Sequence, residues 1–157
     1  MSVLDEIRTA NDAYASGFSK GELPMPPARR FAVVTCMDAR LDPAKFLGLD
    51  EGDAHVIRNA GGLVTDDAIR SLAISHHLLG TQEALVIAHT DCGMLTFRNE
   101  DLQQRLDTDV DFQPFGDLEE SVRASVRRIA ESPLLPDSFA ARGFVYDVRS
   151  GRLADVA

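Results

Sequence analysis

Apolar and polar positions alternate along this chain in two distinct rhythms. Four compact apolar runs, Phe31–Thr35, Ala54–Ile57, Ala84–Ala88 and Gly143–Val148, are each bounded by polar or glycine-bearing turns and read as strands. The segments between them carry apolar residues at helical spacing. Residues 66–79 are the clearest case: Thr65 or Asp66 caps the start, Ile69, Leu72, Ala73, His76 and Leu79 form one stripe, and Gly80 ends it. A second helix opens at Asp117 and buries Leu118, Val122, Val126 and Ile129, with Pro133 beyond its end. Asp42-Pro43 starts a helical turn through Phe46 and Leu47, and the polar stretch 99–116 holds one short helix. At the N-terminus, residues 2–16 form a helix capped by Ser2 and Asp5, with Leu4, Ile7 and Tyr14 on one side and Gly17 after it. Pro24, Pro26 and Pro27 follow as a stiff connector, so this helix either folds back on its own domain or lies across a partner. Strands alternating with helices predict an α/β fold: a mostly parallel central sheet flanked by helices. Ser150-Gly151 turns the chain into a terminal strand, Leu153–Val156, which adds an antiparallel C-terminal edge.

Composition narrows the function classes. The 157 residues fit one domain, 1–157, large enough to bury a core without staples. A net charge of −9 excludes a nucleic-acid surface, which needs a basic footprint. No apolar stretch approaches the roughly 20 residues of a membrane span. Met1–Glu6 lacks the basic and apolar start of a signal peptide, which points to the cytoplasm. The two cysteines, Cys36 and Cys92, could form a disulfide or stay free; without an export signal the disulfide loses weight.

The chemistry gathers where strands end. Cys36-Met37-Asp38-Ala39-Arg40 follows the first run, and His89-Thr90-Asp91-Cys92 follows the third. If those two strands are neighbours, the sheet unites Cys36 with His89, 53 residues further on, and with Cys92. Two thiolates and an imidazole suit zinc, and three protein ligands leave a fourth position for chemistry. Asp38 stands close enough to Cys36 either to ligate the metal or to accept a hydrogen bond from metal-bound water. Arg40 can grip Asp38 in a bidentate pair. Zinc with two thiolates and a neutral histidine is formally neutral and acidifies its water less than an all-histidine site does. Asp38 therefore has work to do: it orients the nucleophile when held by Arg40 and closes the site when it swings onto zinc, a pH-dependent choice. Other features carry less. Arg58–Gly62 lacks the spacing of either phosphate-loop motif. His76 and His77 face different ways on one helix, with His77 a conceivable proton shuttle, and His55 reads as packed in a strand. Asp107, Asp109 and Asp111 imitate an EF-hand start, but Phe112 and Leu118 occupy its glycine and glutamate positions.

These residues resemble the β-class carbonic anhydrases, closest to the short members. Cys36–Arg40 matches the family's C-x-D-x-R, His89–Cys92 its H-x-x-C with Gly93 following, and Arg58-Asn59-Ala60-Gly61 the stretch between; the Gly143–Leu153 hairpin resembles its C-terminal strands. Gly62 departs from the asparagine frequent there. The resemblance implies one zinc per chain on Cys36, His89 and Cys92, with Asp38 as a ligand only in a closed, inactive state. It implies Asp38 and Arg40 as the catalytic dyad, and a substrate pocket at Asn59, Ala60, Gly61 and Gly93. The activity implied is reversible hydration of carbon dioxide to bicarbonate and a proton by zinc-bound hydroxide. It also implies a homodimer or tetramer in which residues 1–28 embrace the partner. Two alternatives stand beside this: hydrolysis of carbonyl sulfide or carbon disulfide on the same scaffold, and a zinc-stabilised binding or regulatory protein without turnover.

Overall fold

Phe31–Cys36 forms strand β1, and all six of its residues are buried in the computed structural model, which describes residues 1–157. A strand buried on both faces belongs at the centre of a parallel sheet. Ala54–Asn59 (β2) and Glu83–His89 (β3) flank it in parallel, Ala140–Tyr146 (β4) continues beyond β3 in parallel, and Leu153–Asp155 (β5) closes the edge antiparallel to β4. The spatial order is β2-β1-β3-β4-β5.

Side chains leave β1 alternately to two layers. Ala32 and Val34 join Ala84 and Val86 of β3 beneath helices Asp66–Leu79 (α3) and Leu118–Ala130 (α5), where Leu72, Val122 and Ile129 complete the main core; the short helix Asn99–Leu106 (α4) lies between those two in the chain. Phe31 and Val33 point the other way, with Ile87, against Phe46 and Leu47 of the short helix Pro43–Leu47 (α2) and against Phe144 and Tyr146. At the carboxyl end of the strands a third cluster forms from Cys36, Leu41, Cys92 and Met94.

Element boundaries differ from expectation in one instructive place. Gly143 reads as the start of a strand, yet it lies in the middle of β4. A Cβ there would come within 2.5 Å of Val122 Cγ1 and 3.2 Å of Val126 Cγ2. The glycine is where α5 presses closest on the sheet, so it marks a close approach rather than a turn.

The N-terminal helix Val3–Ser16 (α1) forms with a complete capping box: the Asp5 backbone N–H donates to Ser2 Oγ, and the Ser2 backbone N–H donates to the Asp5 carboxylate. It buries no residue, and Val3, Leu4, Ile7 and Tyr14 are all exposed. Folding back on its own domain, one of the two options open from sequence, is not what the helix does. No helix is long and apolar enough to cross a membrane.

Candidate metal centre

The sheet order places the chemistry. β1 lies between β2 and β3, with Cys36 opposite Asn59 on one side and Thr35 opposite Ile87 on the other, so Cys36 and His89 end on adjacent strands. Ligand sites in open α/β sheets collect at these carboxyl ends. Two residues past His89 the backbone of Asp91 turns left-handed, at φ 54°, and brings Cys92 back over the strand ends. The ligand atoms of Cys36, His89 and Cys92 lie within 4.8 Å of one another, and all three residues are buried. No other cluster of ligating side chains forms at this spacing.

His89 shows what the cluster lacks on its own. Its Nδ1 hydrogen-bonds the Thr90 carbonyl at 2.8 Å, which leaves Nε2 as the ligating atom. Nε2 is buried and has no hydrogen-bond partner. A buried polar nitrogen without a partner is costly, and beside two thiols the group that satisfies it is a soft metal ion. Two sulfurs and one imidazole within one coordination radius fit zinc. The thiols are not equivalent. Burial pushes both up, but the histidine, together with the backbone N–H groups of Asp38 and Gly61, brings Cys36 below its ordinary value, while Cys92 stays above.

Asp38 and Arg40 form the pair expected of them. Arg40 Nε donates to Asp38 Oδ1 at 3.0 Å and Nη2 to Oδ2 at 2.8 Å; the Arg40 backbone N–H donates to Oδ1 at 2.9 Å. These bonds hold the Asp38 carboxyl well below the usual carboxylate range. Oδ1 has both lone pairs engaged, whereas Oδ2 keeps one free, and Oδ2 is the oxygen 3.7 Å from His89 Nε2.

The residues expected to form the pocket separate into two groups. Ala60, Gly61 and Gly93 line an apolar hollow of about 240 Å³ over the cysteines, together with Met37, Asp38 and Met94. Asn59 does not. Its side chain accepts from the Leu63 backbone N–H at 2.9 Å and donates to the Leu63 carbonyl at 2.8 Å, locking the turn that carries the glycines. Gly62, where the family often has asparagine, is not among the residues that line the hollow: a Cβ there would sit 2.9 Å from the Cys36 backbone nitrogen, at φ 63°. It is the point where the turn touches the end of β1. His77 is displaced from any shuttle role, because α3 runs back toward the edge where the strands begin and His77 bonds the Leu134 carbonyl there. His55 bonds Ser75 Oγ at 2.7 Å, a packed strand histidine as read.

Two site residues escaped the sequence reading. Arg58 donates from Nε to the Cys36 carbonyl and from Nη2 to the Asp38 carbonyl, both at 2.8 Å, pinning the loop that carries ligand and acid. Asp91 accepts from the far side of Arg40. Arg58's position in the matched Arg58–Gly61 stretch was a usable signal; for Asp91 only its place inside H-x-x-C hinted at a role.

Fold and donor set together define an α/β metalloenzyme built at the carboxyl ends of a parallel sheet. The family described as carbonic anhydrase matches residues 31–114. Over 99% of both chains the sequence is 51% identical to Beta-carbonic anhydrase 1 of Mycobacterium tuberculosis. The crystal structure of carbonic anhydrase from Streptococcus mutans superposes with a TM-score of 0.93 at 49% identity, covering 100% of this chain and 99% of that one. A carbon disulfide hydrolase of Acidianus is 35% identical over 94% of this chain and 85% of its own length. The chain belongs to the β-carbonic anhydrase family, and its metal is zinc.

Proposed function

We propose that this chain catalyses the reversible hydration of carbon dioxide to bicarbonate and a proton, with zinc held by Cys36, His89 and Cys92 and with Asp38 and Arg40 as the catalytic dyad. The observation that carries the reading is the unpartnered, buried His89 Nε2 beside two thiols, with the one free lone pair of Asp38 aimed at the same point. When bound, zinc supplies the Lewis acidity that makes water nucleophilic near neutral pH. The chain's residues do the rest. Held ionised by Arg40, Asp38 has no proton to donate and can only accept, so an attacking water aims an O–H at Oδ2 and turns a lone pair toward the carbon of the substrate. The apolar walls given by Met37, Ala60, Gly61 and Met94 suit a small linear molecule that forms no strong hydrogen bonds. Three hydrogen bonds from Arg40 hold the Asp38 carboxylate against swinging onto the metal and closing the site.

Residues 1–28 serve in this reading as a dimerisation arm. Support comes from α1, a well-capped amphipathic helix whose apolar residues find no cover in their own chain. A homodimer supplies that cover, and the site is carried by the one domain, 1–157, of which the arm is part. We place the protein in the cytoplasm, which cell fractionation tests.

Stopped-flow measurement of CO2 hydration on protein loaded with one zinc per chain tests the activity. Turnover well above the uncatalysed rate is expected; its absence between about pH 7 and 9 would overturn the reading. Carbonyl sulfide and carbon disulfide assayed side by side distinguish the alternative substrates, and a faster rate on either would replace carbon dioxide. A non-catalytic zinc protein has no use for an acceptor lone pair beside an open apolar hollow.

A further inference from the structure

Arg40 is held from two sides. While Nε and Nη2 bind Asp38, Nη1 donates to Asp91 Oδ2 at 2.8 Å and Nη2 donates to the Asp91 backbone carbonyl at 2.9 Å. The guanidinium therefore spans Asp38, two residues after the ligand Cys36, and Asp91, one residue before the ligand Cys92. Asp91 holds its place through a backbone conformation uncommon outside glycine, asparagine and aspartate, at φ 54°.

We propose that Asp91 is a positioning residue: it fixes the plane of the Arg40 guanidinium from behind and thereby sets the direction in which Asp38 Oδ2 presents its free lone pair. The proposal rests on the catalytic reading of Asp38 and Arg40. Stability is not what the contact is for. Asp91's side chain is 71% exposed, and exposed ion pairs contribute at most about 1 kcal/mol. Orientation is different. Asp38 and Arg40 stand on the same short loop, so without an outside anchor the two can turn together and keep their mutual bonds while Oδ2 leaves its line to the metal centre. Asp91 lies on the other ligand loop, and its two contacts remove that freedom. An error of about 1 Å in such an alignment costs up to a hundredfold in rate.

The variants Asp91→Gly and Asp91→Asn separate the possibilities, because both residues accept the left-handed backbone. Asp91→Gly removes the carboxylate and keeps the backbone carbonyl; Asp91→Asn keeps an acceptor oxygen. In zinc-loaded protein, kcat/KM for CO2 hydration should fall about tenfold in Asp91→Gly and less than about threefold in Asp91→Asn, with zinc content unchanged. In an Arg40→Ala background, Asp91→Gly should add nothing further. NMR of the Arg40 side-chain nitrogens gives a readout that does not need turnover: rotation of the guanidinium should speed up in Asp91→Gly and slow again in Asp91→Asn. Unchanged rotation in Asp91→Gly overturns the proposal, as does an equal loss of rate with and without Arg40. Should the wild-type enzyme prove inactive, the catalytic reading falls, and the NMR comparison still decides whether Asp91 orients Arg40.

Discussion

In the proposed reaction Asp38 acts through the lone pair that its hydrogen bonds leave unused. Arg40 engages both lone pairs of Oδ1 and one of Oδ2, so a single acceptor site is left, and it faces His89 Nε2. Removing the carboxylate should therefore separate binding from chemistry. Asp38→Ala is expected to keep one zinc per chain, since Cys36, His89 and Cys92 are untouched, while kcat/KM for CO2 hydration falls about a hundredfold; metal analysis alongside stopped-flow kinetics checks both halves. Gly62 makes a second residue-scale prediction. A Cβ there would lie 2.9 Å from both the Cys36 nitrogen and the Thr35 carbonyl carbon, and the backbone at φ 63° disfavours a side chain. Both obstacles are main chain and cannot swing aside. Gly62→Ala should lose about 1–3 kcal/mol of stability by chemical denaturation, because the turn and the end of β1 cannot both keep their places.

At the scale of elements, each ligand loop hangs from a strand end and is tied down by its neighbours. Arg58, at the end of β2, donates to the carbonyls of Cys36 and Asp38, and the Met37 N–H donates to the Asn59 carbonyl at 2.8 Å. On the other side, the Val148 backbone N–H donates to Thr90 Oγ1 at 3.1 Å, so the β4–β5 hairpin steadies the loop that carries Cys92. Asp147 shapes that hairpin. Its carboxylate accepts from the backbone N–H groups of Arg149 and Ser150, which lower its pKa below the ordinary 3.8. The hairpin's stabilisation is therefore fully present above that ordinary value and is lost as pH falls through the lower folded value. Tm measured from neutral pH down to about pH 3 should drop less steeply in Asp147→Asn than in the wild type, because the variant has no carboxylate to protonate at that turn.

Over the whole molecule, the main core and the exposed arm behave as separate systems. The core lies between the sheet and helices α3 and α5, and α1 contributes none of its buried residues. Charges placed on the arm should leave the core intact. Leu4→Glu combined with Ile7→Glu is expected to convert a dimer into monomers in analytical ultracentrifugation, with the far-ultraviolet circular dichroism of the core elements preserved. A variant that stays dimeric would remove the arm from the interface.

Much of this was legible along the chain because it is governed by short-range rules. Buried strands announce themselves as apolar runs, helices as stripes with caps, and the ligands as cysteine and histidine at strand ends; Ser2, Thr65 and Gly80 stand at the helix ends where capping chemistry puts them. Local pattern alone was enough for the element order, the zinc donors, and the pairing of Asp38 with Arg40, two positions apart. Contacts between residues far apart in the chain came from the folded arrangement instead. The order β2-β1-β3 set Arg58 against the Cys36 loop, and the left-handed turn at Asp91 carried its carboxylate to Arg40, 51 residues away. It moved Asn59 from the pocket into a turn, and took His77 to the opposite edge of the sheet. Periodicity and spacing report which face a residue takes within its own element. They do not report which distant loop that face will meet, because that depends on how the strands are ordered and where the backbone reverses.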